Sequence, residues 1–167
     1  GFSNYLMLFH DNNVPEVIGN TLWFTAFYLV GANVIGLLLA LLVKKTTRLN
    51  SVLRTIFFMP FVLSMILASF MFSYIYSDVF YGIFGIKSFL GNVELVNPAI
   101  AAIAIWKDSG YCMIIYIASL AMVPAEYYEA AKLEGCGKIK SFFKITLPLI
   151  VPAFTANLTL ILAWGMQ

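Results

Sequence analysis

Long stretches without a charged residue dominate this chain and restrict what it can fold into. The four apolar runs cover residues 18–43, 55–77, 98–123 and 147–167. Only the third contains charges, the adjacent Lys107 and Asp108. About 20 apolar residues in a helix cross the ~30 Å hydrocarbon core of a bilayer, and lipid forces the backbone to satisfy its own hydrogen bonds. The sequence therefore predicts an all-α, polytopic membrane helical bundle with four transmembrane helices.

The composition excludes several classes of protein. Hydrophobic residues make up 62% of the chain and charged residues 11%, whereas an ordinary soluble domain is about 45–50% apolar and about 25% charged. A disordered protein, a collagen-like repeat and an ordinary soluble enzyme are therefore excluded. The net charge of only +2 argues against nucleic acid as a partner. Because the chain begins at Gly1 and ends within an apolar run at Gln167, we expect an internal piece of a longer membrane protein.

The chain lacks the patterns of a metal, cofactor or nucleotide site. Its two cysteines, Cys112 and Cys136, form no CxxC pair, and its single histidine, His10, has no potential ligand partner close in sequence. These spacings predict no metal, no haem and no disulfide framework. The phosphate-binding pattern GxxxxGK[ST] is also missing from the sequence. We therefore expect no bound cofactor, no catalytic residue and no enzymatic activity of the chain's own.

Basic residues predict the orientation in the membrane. Eight of the ten lysines and arginines lie in two links between apolar runs: Lys44, Lys45, Arg48, Arg54, Lys132, Lys138, Lys140 and Lys144. Cytoplasmic loops of membrane proteins carry an excess of such residues. Both links are therefore predicted to be cytoplasmic, and the segments 1–17 and 78–97 to be external. Lys87 lies in the second external segment.

The second cytoplasmic link, 124–146, has the pattern of two short helices. Glu126 suits the positive end of a helix dipole, and Glu129 and Lys132 are spaced for contact on one helix face. Gly135 is typical of a helix end. A second helix over 138–144 and a transmembrane helix from residue 147 are expected to follow.

Three uses of this link are open from the residues. It can be a DNA-reading unit, which its attachment to two membrane spans disfavours, or an amphipathic loop on the lipid surface. It can also be a docking element for a cytoplasmic partner, because the small Ala130 and Ala131 allow close insertion into a groove. Glu129 beside them can pair with a basic residue of that partner.

The spacing in this link resembles a known family. Glu129-Ala130-Ala131, then Gly135, then Ile145-Thr146-Leu147-Pro148 is similar to the EAA loop of permease subunits of binding-protein-dependent ABC importers. Flanking residues resemble the carbohydrate branch, of maltose or glycerol-phosphate type: Tyr128, Asn20-Thr21-Leu22, Leu53-Arg54-Thr55 and Ile105-Trp106-Lys107. The resemblance implies a single transmembrane domain over 1–167 with about four of the family's usual six helices.

The same resemblance implies a function and partners. The chain would be a multi-pass protein of a bacterial or archaeal plasma membrane, surrounded by membrane lipid. It would form a pathway for sugars or oligosaccharides with a second homologous permease subunit, while an extracytoplasmic solute-binding protein delivers the substrate. A cytoplasmic ABC ATPase dimer would dock on the EAA loops. The implied ATPase-coupling residues are Glu129, Ala130, Ala131, Gly135, Ile145, Leu147 and Pro148.

Substrate contacts are expected near the middle of the membrane. Lys107 and Asp108 are charges within an apolar run, and such residues mark functional sites by default; alternatively they lie near the outer interface and neutralise each other. The alignment register of the family implies a substrate pathway of Phe61, Ser64, Met65, Lys107, Asp108 and Tyr111. A permease for polyamines, phosphonates or amino acids, and a channel or secondary transporter, stay open as alternatives.

Overall fold

The computed structural model describes residues 13–85 and 89–166, and for Phe84 the backbone alone. Its α-helices are α1 (Val14–Val43), α2 (Arg48–Val62), α3 (Met65–Tyr74), α4 (Phe80–Phe84), α5 (Val93–Ala121), α6 (Ala125–Leu133), α7 (Lys138–Ser141), α8 (Leu147–Leu149) and α9 (Val151–Gly165). Two π-helical segments, Ile75–Val79 and Phe142–Thr146, connect α3 to α4 and α7 to α8. The described ranges contain no strand, which confirms the predicted all-α fold class. His10 and Lys87 lie outside the described residues.

The two longest helices, α1 and α5, pack along each other and form the centre of the bundle. This core contains buried residues of both helices: Tyr28, Ala32 and Ala40 of α1, and Cys112 and Met113 of α5. Helix α9 packs on both central helices, and α2 packs on α5. Small residues let membrane helices approach closely. The four helices together enclose the polar side chains of the bundle interior.

Gly110 sets the distance between α5 and α2. A methyl group at this position would overlap the backbone carbonyl of Phe57. Because that obstacle is backbone, no side-chain rotation relieves it. The close approach of the two helices therefore depends on the missing side chain of Gly110.

The prediction of one continuous helix over 55–77 is wrong. Helix α2 ends at Val62 and α3 begins at Met65, because Leu63 and Ser64 have extended backbones with ψ of 136° and 140°. The break follows Pro60 by one helical turn, and proline supplies no N–H for the carbonyl four residues earlier. The helical stretch that is long and apolar enough to cross a membrane is instead Met65–Ile83.

The last apolar run is also broken, and its predicted start at residue 147 is wrong. Helical backbone runs from Lys138 to Leu149, and α9 follows at an angle of 63°. The bend lies at Ile150, whose φ and ψ are −94° and 6°. Pro152 has no N–H to donate to the carbonyl of Pro148, so the helical ladder is interrupted at this turn.

Side-chain caps mark the first residue of two helices, α2 and α5. The Thr47 hydroxyl accepts a hydrogen bond from the Asn50 N–H at 3.2 Å and starts α2. The Asn92 side chain accepts from the Glu94 N–H at 2.9 Å, so α5 starts at Val93 and not at the predicted residue 98. The external link is correspondingly shorter than the expected 78–97, because α4 extends to Phe84.

Candidate functional sites

The Lys107 ammonium has three partners inside the bundle. Its Nζ lies 3.4 Å from Oδ1 of Asp108, donates to the Phe61 carbonyl at 3.3 Å and lies 5.0 Å from the centroid of the Phe61 ring. In a continuous helix that carbonyl would accept from the N–H of Met65. Lys107 therefore satisfies a backbone group that the break after Val62 leaves free.

Asp108 has a partner for each carboxylate oxygen. Oδ1 pairs with Lys107, and Oδ2 accepts a hydrogen bond from the Tyr28 hydroxyl at 2.5 Å. The side chains of Lys107 and Asp108 are only 14% and 10% exposed. A charge taken out of water is costly unless it is paired and hydrogen-bonded, and this arrangement meets both conditions. The pair adds no net charge to the interior.

A cavity of about 340 Å³ lies beside this ion pair. Its described lining consists of Phe24, Tyr28, Phe61, Met65, Ala104, Lys107, Asp108 and Trp164, from α1, α2, α3, α5 and α9. Phe61 stacks on Tyr111 at 4.8 Å between ring centroids, and Tyr111 lies 5.5 Å from Trp164. An apolar, mostly aromatic wall with a few converging polar groups is typical of a small-molecule site.

The structure brings most of the predicted pathway residues together. Phe61, Met65, Lys107 and Asp108 line the cavity, and Tyr111 supports it by stacking on Phe61. Ser64, in contrast, lies at the helix break and is exposed, outside the described lining.

Sequence reasoning missed four residues of this lining: Phe24, Tyr28, Ala104 and Trp164. Phe24 and Tyr28 are four residues apart and therefore share a face of α1, and their rings stack at 5.8 Å. This spacing could have identified them as a pair. No comparable spacing could have identified Trp164. It lies on α9, and the bend at Ile150 determines where this helix packs.

The second candidate site is the link that contains the EAA spacing, and its local structure matches the predicted helix, glycine turn and helix. Gly135 has a left-handed backbone with φ of 70°. The N–H of Cys136 donates to the Ala131 carbonyl at 2.8 Å, and the N–H of Gly135 donates to the Lys132 carbonyl at 3.0 Å. These two bonds form a Schellman motif, the common way in which a glycine ends a helix.

The exposed face of α6 differs from the predicted one. Glu129 and Ala130 are exposed, but Ala131 is only 7% exposed and packs against the chain itself. Ala131 therefore does not share the free surface with Ala130. Of the other coupling candidates, Ile145 and Leu147 are half-buried and Pro148 is exposed.

A side-chain hydrogen bond holds the two halves of this link together. The hydroxyls of Tyr128 and Thr146 lie 2.9 Å apart, between α6 and the π-helical segment before α8. Thr146 is buried. The bond fixes α6 relative to the helical stretch that leads to α9.

The amino-acid sequence of the chain matches a family of transport proteins. Residues 32–167 match the model of the binding-protein-dependent transport system inner membrane component. The chain belongs to this family. Like other inner-membrane components, this permease is a multi-pass membrane protein, and three of its described helical stretches, or four if the bent pair counts as one span, are long and apolar enough to cross a membrane.

Two curated relatives show what this permease is similar to. It is 32% identical, over 95% of its length, to the sulfoquinovosyl glycerol transport system permease protein SmoG of Agrobacterium fabrum. It is 30% identical, over 98% of its length, to the probable starch degradation products transport system permease protein AmyD of Thermoanaerobacterium thermosulfurigenes. The permease covers 54% and 58% of these two relatives, so it spans little more than half of their length.

Two solved structures share the fold. One is a bacterial ABC transporter involved in the import of the acidic polysaccharide alginate, with a TM-score of 0.85 and 24% identity over 99% of the permease and 62% of that chain. The other is a bacterial alginate ABC transporter in complex with an alginate pentasaccharide-bound periplasmic protein. There the TM-score is 0.80 and the identity 25%, over 96% of the permease and 59% of that chain.

Proposed function

We propose that this permease forms part of the translocation pathway of an ATP-driven importer for sugars or oligosaccharides. The proposal rests on one observation: the cavity is lined by aromatic side chains on one part and by the Lys107–Asp108 ion pair on another. The apolar C–H face of a sugar ring packs on aromatic side chains, and its hydroxyl groups need nearby donors and acceptors. Phe61 and Trp164 supply the first, and Tyr28 and Asp108 the second.

The named transport systems of relatives support a sugar as the substrate. SmoG belongs to a system for sulfoquinovosyl glycerol and AmyD to one for starch degradation products. In this permease Asp108 neutralises Lys107, which suits the hydroxyl groups of a sugar better than an acidic substituent. The substrate-pathway residues of the proposal are Phe61, Met65, Lys107, Asp108 and Tyr111, with Ser64 at the adjacent break. The cavity adds Phe24, Tyr28, Ala104 and Trp164.

The proposal includes partners on both sides of the membrane. An extracytoplasmic solute-binding protein would deliver the sugar, as the periplasmic protein in the alginate transporter complex supports. A second permease subunit would complete the pathway. A cytoplasmic ATPase dimer would drive the cycle by docking on the link 124–146, where Glu129 and Ala130 are exposed on α6. In this scheme the permease supplies no catalytic chemistry.

The orientation can be tested by labelling introduced cysteines in intact cells. In a variant that lacks Cys112 and Cys136, we expect a membrane-impermeant maleimide to label Asn92→Cys but not Lys138→Cys. The reason is the excess of lysine and arginine in the links around residues 44–54 and 132–144. Labelling of position 138 from outside would contradict both the orientation and the docking of an ATPase there.

The pathway can be tested in the assembled importer, reconstituted in vesicles with its ATPase and solute-binding protein. Trp164→Ala should lower ATP-dependent sugar uptake about tenfold, which corresponds to about 1.4 kcal/mol, because it removes an aromatic wall. Phe70→Ala is the matched control, since Phe70 is exposed on α3 outside the cavity. Equal losses in both variants would contradict the assignment of the cavity. Uptake driven by an ion gradient without ATP would contradict the importer itself.

A further inference from the structure

A second cavity, of about 300 Å³, lies where α1 ends beside the link 124–146. Three lysines from three different segments line it: Lys44 after α1, Lys132 on α6 and Lys138 on α7. Tyr128 and Thr146, the pair that joins the halves of the link, also line it. The cavity therefore lies between the membrane-spanning bundle and the proposed coupling element.

The charge around this cavity is unbalanced. No acidic side chain is among its described lining residues. The glutamates on or next to α6, which are Glu126, Glu129 and Glu134, are exposed and are not among the described lining residues. Across residues 13–85 and 89–166, Lys107 and Asp108 form the one ion pair. Three unpaired ammonium groups around one cavity repel one another, and an anion between them would replace this repulsion by attraction.

The lining also has an apolar part, which distinguishes the cavity from a simple anion site. Leu41, in the last turn of α1, and Phe142 line it together with the lysines. Their sequence neighbours Leu42 and Phe143 are largely exposed, at 67% and 60%. Leu41 belongs to the apolar run of the first helix, so the cavity lies at the level where hydrocarbon meets water. A ligand with an anionic head and an apolar tail matches both parts.

We propose that Lys44, Lys132 and Lys138 bind the phosphate of an anionic phospholipid, whose acyl chains lie along Leu41 and Phe142. Basic pockets at the cytoplasmic ends of membrane helices are suited to acidic head groups. The assignment to the cytoplasmic leaflet rests on the orientation given under Proposed function. One lipid at this site would contact α1, α6 and α7 together, and would connect the coupling element to the bundle.

Direct lipid binding is the first test. The assembled importer is purified in detergent, titrated with phosphatidylglycerol or phosphatidylcholine, and examined by native mass spectrometry for retained lipid. The triple variant Lys44→Gln, Lys132→Gln and Lys138→Gln should bind phosphatidylglycerol at least about tenfold more weakly at one site per permease. The matched control is Lys45→Gln, Lys140→Gln and Lys144→Gln, which removes the same charge from the same two links outside the described lining. The control should retain the lipid.

Three outcomes would overturn the proposal. The first is equal loss of phosphatidylglycerol in both triple variants, which would show only a diffuse effect of charge. The second is displacement of the bound phosphatidylglycerol by inorganic phosphate, which would identify free phosphate as the ligand of the three lysines. The third is unchanged lipid binding in the cavity variant with loss of the co-purified ATPase, which would assign the lysines to a protein contact.

The binding test is independent of transport, so its failure differs from failure of the proposed function. Sugar uptake in vesicles of phosphatidylcholine with and without phosphatidylglycerol provides a second readout. We expect phosphatidylglycerol to stimulate uptake by the wild type and the control variant but not by the cavity variant. Equal stimulation of all three would also overturn the proposal, whereas absence of ATP-driven uptake in the wild type would contradict the importer function alone.

Discussion

The hydroxyl of Tyr28 on α1 donates a hydrogen bond to Oδ2 of Asp108 on α5. The two residues are 80 positions apart, and both are buried. Because Lys107 occupies the other oxygen of the carboxylate, Tyr28 completes the set of partners that makes a charge acceptable in an apolar interior. The bond also joins the two longest helices of the bundle beside the candidate cavity.

Removal of this hydroxyl should destabilise the bundle. In Tyr28→Phe, Oδ2 of Asp108 stays buried without its donor, which costs about 1–3 kcal/mol. Thermal unfolding of the purified importer in detergent, followed by loss of the folded complex, measures the effect. Tyr127→Phe is the control, because Tyr127 is exposed on α6 and should lose little. Equal stability of the two variants would contradict a structural role for the Tyr28 hydroxyl.

Lys107 and Asp108 should be strongly coupled. Lys107→Met leaves the Asp108 carboxylate without its cation and the Phe61 carbonyl without its donor, and breaking a buried pair costs about 3–5 kcal/mol. Adding Asp108→Asn removes the unpaired charge, so the double variant should recover much of the loss. A double-mutant cycle on thermal stability gives the coupling energy. A double variant that is no more stable than Lys107→Met alone would show that the ion pair is not the source of the loss.

Because α2 packs closely on α5, Gly110 should tolerate replacement by alanine less well than Gly82 does. Gly110→Ala should destabilise the bundle by about 1–3 kcal/mol or prevent its assembly, because the added methyl group meets the Phe57 backbone. Gly82→Ala should be tolerated, since no described atom lies within 4 Å of the added carbon in α4. Expression level and thermal stability of the two variants compare them directly. Equal tolerance would mean that α2 can move away from α5 at little cost.

Gly135 should be needed for coupling. Its left-handed backbone disfavours any residue with a β-carbon, by about 1–2 kcal/mol, so Gly135→Asp should misplace α6 relative to α7. Membrane insertion should be unaffected, while co-purification of the ATPase or sugar uptake per ATP hydrolysed should fall. Glu129→Lys should act similarly by reversing an exposed charge.

Gly137 provides the control for this prediction. Its φ is −67°, a value that any residue adopts, and no described atom lies within 4 Å of an added β-carbon. Gly137→Ala should therefore behave like the wild type in co-purification and coupling. Normal coupling in both Gly135→Asp and Glu129→Lys would remove the link 124–146 from the mechanism.

Properties that depend on short stretches of chain could be predicted from the sequence. The apolar runs indicated a membrane protein with several spanning helices, because the transfer of a segment into lipid depends on its own side chains, although the second candidate span is Met65–Ile83 and not 55–77. The EAA spacing identified the family, and Gly135 was recognised as a helix end, since the Schellman turn uses only residues 131–136. Half of the residues that line the cavity were also named from the sequence. Lys107 and Asp108 stood out as a charged pair within an apolar run, and Phe61 and Met65 came from the family resemblance.

Other features depend on contacts between distant segments. The break at residues 63–64 is one of them, because Lys107 donates a hydrogen bond to the freed carbonyl of Phe61 from 46 residues away. The burial of Ala131 and the arrival of Trp164 at the cavity depend on how α6 and α9 pack against the rest of the bundle. Transfer into lipid depends on the side chains of one segment, so the sequence indicates which segments are helical. The partner of each buried polar group depends on how the helices pack, because packing brings together residues that are far apart in sequence.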